Sequence, residues 1–209
     1  MRDSMRRVIH ALYRALGHLL ARLALTFCRL RDKVDAPKAD TILFVAHPDD
    51  DTLFFHTYLK EKKPYVVLMT TAFSIVRMRE FHRAMKRYGV RWRAYDLQSR
   101  DERLEEIKKN IRECMQLKKF SACVTHNAEG EYGHIMHQRV HKCVMDVLQD
   151  YDVPVLTPAC RQEIEKYPLP EEAIAEKQRI FQTIYKSQLF VLGKYAPWVR
   201  CEKLTEEKE

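Results

Sequence analysis

From Thr41 onward the chain alternates short apolar runs with longer stretches in which apolar residues return every three or four positions. Runs of the first kind read as buried strands, and stretches of the second as helices with one face turned to a core. The run Thr-Ile-Leu-Phe-Val at 41–45 predicts a first strand, and 51–60 a helix. Further strands are expected at 65–70, 90–97, 121–125 and 153–157, with helices over 74–88, from about 99 to 117, over 133–149 and over 170–190. Gly89 stands where a left-handed residue would stop a helix, and Ser99 with Glu102 has the spacing of a capping box. Alternation of this kind implies a mostly parallel sheet covered by helices on both faces, an α/β, Rossmann-like architecture.

Residues 1–40 carry a different pattern. Val8, Leu12, Leu16, Leu19, Leu23, Phe27 and Leu30 form a helical stripe, with Arg7, Arg14, Arg22 and Arg29 largely off it. The stripe predicts an N-terminal amphipathic helix. It makes a poor transmembrane span, because His18 and Arg22 interrupt it and Arg14 and Arg29 bracket only about 14 residues where roughly 20 are needed. No clean apolar core with a small-residue cleavage site marks it as a signal peptide. Residues 5–31 would lie on an anionic membrane surface, pack on the body of the same protein, or serve as a targeting segment. With 32–40 as a linker, the chain divides into 1–40, a domain over 41–200 and a charged tail over 201–209.

Composition changes this picture little. In 209 residues, 46% of them hydrophobic, there is material for one sizeable core. The net charge of +8 invites an anionic partner. No nucleic-acid module accompanies it, so nucleic acid is not expected. The six cysteines are scattered without a C-x-x-C pair, which fits reduced thiols in a cytoplasmic setting, with peripheral membrane attachment through the first helix.

The chemistry gathers at two places. Ala46-His47-Pro48-Asp49-Asp50-Asp51 follows the first strand directly, where ligands collect in open α/β sheets. Three carboxylates in one turn repel one another unless a cation offsets them. Glu131-Tyr132-Gly133-His134-Ile135-Met136-His137 offers two histidines three apart. On a helix such a pair shares a face. His47, one aspartate and one of these histidines would make a three-ligand site with an open position, the arrangement of catalytic zinc. The competing reading of Asp49–Asp51 is a helix N-cap.

Ala46-His47-Pro48-Asp49-Asp50-Asp51, followed about 85 residues later by Tyr132-Gly133-His134-x-x-His137, resembles the PIG-L/LmbE family of zinc-dependent N-acetylglucosaminyl deacetylases. Arg77-x-x-Glu80 with Ala84 and Tyr88-Gly89-Val90 is similar to an R-x-x-E helix of that family, and Tyr185-Lys186-Ser187-Gln188 to its H-x-S-Q element. The resemblance runs from about residue 41 to about 192. It implies that His47, Asp50 and His137 bind zinc, although the same ligands would also suit Fe(II). It further implies Asp49 as general base and His134, as imidazolium, facing the reacting carbonyl, with Tyr132 an alternative for the oxyanion. Arg77, Tyr132, Ser187 and Gln188 would contact substrate. The chain departs from the family in three places: Asp51 stands for the usual Glu, 70–76 lacks a glycine, and Ile135-Met136 replace a frequent Pro-Asp.

The function so implied is zinc-dependent removal of the N-acetyl group from an N-acetylglucosamine-type conjugate, in glycoconjugate biosynthesis. The rival readings are a zinc amidase of the same fold acting on another N-acyl small molecule, and a non-catalytic membrane-associated binding protein. His126 would line the site rim or be structural. His141 reads as a hydrogen-bonded helix histidine, and His56 and His82 as packing or surface residues.

Overall fold

The computed structural model describes residues 38–71, 74–95 and 104–207, with isolated positions between 5 and 19. Among the described residues six strands form one sheet in the order β3-β2-β1-β4-β5-β6. They are β1 (Thr41–Val45), β2 (Tyr65–Leu68), β3 (Trp92–Ala94), β4 (Ala122–Val124), β5 (Val155–Pro158) and β6 (Leu204–Glu206). The first five pair in parallel, and β6 runs antiparallel to β5. The α/β, mostly parallel architecture is therefore as the alternation implies.

Successive residues of a strand point to opposite faces, and β1 is buried on both. Leu43 and Val45 join a core with α1 (Asp50–Lys62), α2 (Ile75–Tyr88) and α6 (Glu171–Thr183). Ile42 and Phe44 join a second core with α3 (Leu104–Met115) and α5 (Ile135–Leu148). This two-sided burial is why the strand reads as an unbroken apolar run. Gly89 ends α2 at φ 68, and Ser74 Oγ caps its start by accepting the Arg77 N–H at 3.3 Å.

The chain departs from the sequence expectation in three places. The expected helix over 133–149 forms as α5 but starts two residues late, at Ile135, after a short α4 (Gly130–Gly133) and His134 in an extended conformation. The expected helix over 170–190 ends at Thr183. The backbone turns at Tyr185 (φ −86, ψ 49), which carries its hydroxyl into the body of the fold to donate to Asp51 Oδ1 at 2.6 Å. Beyond it lie a 3-10 turn (Lys186–Gln188), α7 (Val191–Lys194) and α8 (Ala196–Arg200). The segment read as a charged tail supplies β6, and Glu202 before it accepts the Thr57 N–H at 2.8 Å and pairs with the buried Lys177 at 3.3 Å. Pairing with a partner far along the chain overrides local polarity there.

The capping box at Ser99 and Glu102 and most of the N-terminal helix lie outside the described residues. Of that helix, Met5, Arg6, Ile9, Leu12, Leu16 and Leu19 are described, each helical and exposed. No helix among the described residues is long and apolar enough to cross a membrane.

Candidate metal centre

Strand order reverses between β1 and β4, so the loops leaving these neighbours part and open a crevice at their C-terminal ends. Both histidine-bearing segments arise there: 46–51 from β1, and 125–137 from β4 through α4 into α5.

His47 Nδ1, Asp50 Oδ2 and His137 Nε2 lie at the corners of a triangle whose three sides are each 3.3 Å. A tetrahedral ion with ligands at about 2.0–2.1 Å needs donor atoms about 3.3–3.4 Å apart. The triangle matches that edge. Two wider ligand-capable triplets overlap it, His47/His134/His137 and Asp50/His126/His137, each with donor atoms within 4.8 Å of one another. His126 is removed as a ligand by its own bonding, because the Ala46 N–H donates to its Nε2 at 2.9 Å and occupies the lone pair a metal would need.

The electrostatics favour positive charge at this point. Burial pulls the His137 imidazole down, but the carboxylates of Asp50 and Glu131 on its two nitrogens outweigh burial and push it up to about 10. Burial likewise raises Asp50, and His137 and His47 outweigh it to hold the carboxyl well below its usual range. His47 moves down, chiefly through burial.

Asp49 and Asp50 diverge, and the cause is local. Asp49 has φ 99, a left-handed conformation rare outside glycine. Its N–H donates to Asp51 Oδ1 at 3.1 Å, and Asp51 is anchored in turn by Tyr185 and by Thr52 Oγ1 at 2.9 Å. Asp50 Oδ2 accepts the His47 N–H at 2.7 Å and faces the histidines. Asp49 Oδ1 pairs with Arg77, whose Nη2 also donates to Pro48 O at 2.6 Å. The Asp49 side chain caps no helix N–H. Burial raises the Asp49 carboxyl well above the usual range, with Arg77 opposing.

His134 differs from the expected imidazolium on a shared helical face. It is the N-cap of α5, and its Nδ1 accepts the Met136 N–H at 3.2 Å. Burial, then the neighbouring His137 and His47, lower it to about 4. At neutral pH the ring is therefore neutral and carries its proton on Nε2. Its ring still lies 4.7 Å from that of His47 and 4.5 Å from that of His137, centroid to centroid. Tyr132 stands 5.7 Å from His134 and stacks on Tyr195 at 4.1 Å.

Ser187 turns to Glu80. Its N–H donates to Oε1 at 2.9 Å and its hydroxyl to Oε2 at 2.5 Å, while Gln188 Nε2 donates to Ser187 Oγ at 3.0 Å. The two motifs Arg77-x-x-Glu80 and 185–188 thus meet in space. Glu131 has a role that the sequence pattern did not single out, and His126, read as a rim or structural residue, is fully buried with both ring nitrogens hydrogen-bonded. Neither has a spacing that signals its role, because each acts across a loop.

Fold and site together define a class: a Rossmann-like α/β protein with a metal-capable His/Asp/His set in its switch-point crevice. Over residues 42–148 the chain matches the PIG-L family, described as GlcNAc-PI de-N-acetylase, and it belongs to that family. It is 25% identical over 131 residues to the uncharacterized protein L374 of Acanthamoeba polyphaga mimivirus, a match taking in 53% of this chain and 58% of that protein. In fold it resembles a triple mutant of a deacetylase of the teicoplanin biosynthetic pathway, at 16% identity and TM-score 0.60, over 77% of this chain and 87% of the other. It also resembles the 4-carboxy-2-hydroxymuconate hydratase GalB of Pseudomonas putida KT2440, at 12% identity and TM-score 0.54, over 76% and 81%. A deacetylase and a hydratase on one scaffold mean that the site, and not the fold, must carry the argument for a reaction.

Proposed function

We propose that the protein is a zinc-dependent N-deacetylase that hydrolyses the N-acetyl group of an N-acetylglucosamine-type conjugate to acetate and a free amine. The observation that carries this reading is the 3.3 Å triangle of His47, Asp50 and His137, with the Asp49 carboxyl turned out of it. Zinc held by those three residues would supply a Lewis acid that polarises the acetyl oxygen and lowers the pKa of a water toward about 7; Fe(II) also suits the set.

The protein's own groups do the rest. Asp49 takes the proton of the attacking water as its oxygen bonds to the acetyl carbon. The C–N bond then breaks, and the proton passes from Asp49 to the departing amine. His134 serves as a neutral Nε2–H donor to the developing oxyanion, with Tyr132 at the rim of the same space. Arg77 holds Asp49 in place, and its Nε is buried without a hydrogen-bond partner among the described residues. Ser187, bonded to Glu80, and Gln188, bonded to Ser187, would be the wall that the sugar meets.

Metal analysis together with acetate release from N-acetylglucosamine conjugates tests this reading. About one metal per chain and stoichiometric acetate are expected. Metal without acetate, followed by turnover of another N-acyl compound, would shift the reading to an amidase on a different small molecule. Neither metal nor acetate would leave a binding protein.

The N-terminal helix gives the reading its setting. Met5, Ile9, Leu12, Leu16 and Leu19 recur on one face at steps of four and three, and all are exposed. That face, in a stretch of sequence that also carries arginines at 7, 14, 22 and 29, suits an anionic membrane surface. Full-length protein is expected to sediment with phosphatidylserine vesicles at low salt, and Leu12→Glu/Leu16→Glu protein to stay in the supernatant. Equal partitioning of the two would remove the membrane from the reading.

A further inference from the structure

Glu131 is buried beside the candidate centre, yet the chemistry above does not use it. All of its carboxylate is engaged. Oε1 accepts the Asn127 N–H at 3.0 Å, while the Glu131 N–H donates to Asn127 Oδ1 at 2.8 Å. Oε2 lies 2.5 Å from His137 Nδ1 and 3.1 Å from His126 Nδ1. One oxygen thus gathers two imidazoles, which stack with centroids 3.9 Å apart.

The tautomers follow from these contacts. His126 Nε2 accepts the Ala46 N–H, so its proton sits on Nδ1 and is given to Glu131. His137 Nδ1 likewise faces the carboxylate, so a proton kept there would direct the Nε2 lone pair to an ion on the side of Asp50 and His47. The first turn of α5 contains no acid of its own. The backbone also bears a cost for the arrangement. Glu131 sits at φ 57, ψ −65, a conformation that only glycine adopts freely. Strain of this kind persists where the surroundings over-determine a position.

We propose that Glu131 is the positioning residue of the metal centre: it holds the His137 Nδ1–H so that Nε2 meets the ion, and through His126 it braces that ring against the end of β1. The proposal rests on the metal-centre reading and assigns it a supporting residue. Glu131 acts through His137 and does not touch substrate.

Two full-length variants test it. Glu131→Gln keeps the volume but removes the charge, and sets an NH2 group against either the Asn127 N–H or the ring N–H groups. Glu131→Gly removes the carboxylate while suiting the φ of 57, so it relieves the backbone where the glutamine does not. Zinc affinity is read by competition with a chromophoric chelator, the visible absorption of the Co(II)-loaded protein reports ligand geometry, and circular dichroism reports folding. Both variants are expected to fold, to bind zinc about 10–100-fold more weakly and to show altered Co(II) bands. Folded variants that bind zinc within about twofold of wild type with unchanged Co(II) bands would overturn the proposal, and a lower melting temperature alone would mark Glu131 as a loop staple. Wild-type protein that binds no zinc would instead fell the metal-centre reading, and this proposal with it.

Discussion

Replacing Asp49 by asparagine is expected to lower acetate release about 10²–10⁴-fold while leaving the metal content at that of wild type. Asp49 is turned away from the donor triangle and toward Arg77, so the substitution removes a proton acceptor without removing a ligand. Asparagine keeps the shape and can still accept from the guanidinium, which isolates the proton-transfer role. In the wild type the rate should rise with pH through the pKa of Asp49, because the base acts in its ionised form. Burial, the largest influence, sets that pKa well above the usual carboxylate range, with Arg77 opposing. The acid limb should therefore lie well above the pH at which an exposed aspartate titrates. A pH–rate profile and a metal assay on both proteins check this. Loss of metal in the variant, or a rate within a few-fold of wild type, would remove Asp49 as the base.

Replacing His137 by alanine is expected to abolish metal binding and activity together, and to lower stability as well. His137 is fully buried, with Asp50 against one ring nitrogen and Glu131 against the other. Removing it leaves two buried carboxylates without the imidazole that both face. Breaking a buried charge pair by deleting one partner costs about 3–5 kcal/mol. The melting temperature of the metal-free variant should therefore fall by many degrees, more at neutral pH than in mild acid, where protonation relieves the stranded carboxylates. The sign follows from their environment. Without the imidazolium the folded-state pKa of a buried carboxylate rises above its unfolded value, so folding is penalised as pH climbs through that raised pKa. Thermal melts across pH, with and without zinc, test this. A variant as stable as wild type that still binds zinc would place the centre elsewhere.

Much of this was legible in the chain. The apolar run at 41–45 and the polar burst after it announced a buried strand ending in a reactive loop, because burial on both faces and the start of a helix each leave a compositional mark. Gly89 announced the end of α2, because a left-handed stop selects glycine. The helix expected over 170–190 failed for the opposite reason. Its residues favour helix throughout, and what ends it is the Tyr185 hydroxyl bonding to Asp51, 134 positions away.

The sequence by itself determined the layering of the sheet, the loop that bears His47 and Asp50, and the presence of a second histidine cluster able to complete a site. These depend on periodicity and on residue chemistry, which are local. Only the tertiary structure decided that His134 caps α5 by accepting the Met136 N–H, that Asp51 holds Asp49 in a left-handed turn, and that Glu131 reaches around Asn127 to hold His126 and His137 at once. Those facts depend on which hydrogen-bond partners the pairing of β1 with β4 brings within reach. A chain of side chains carries no periodic trace of a partner that arrives from another loop.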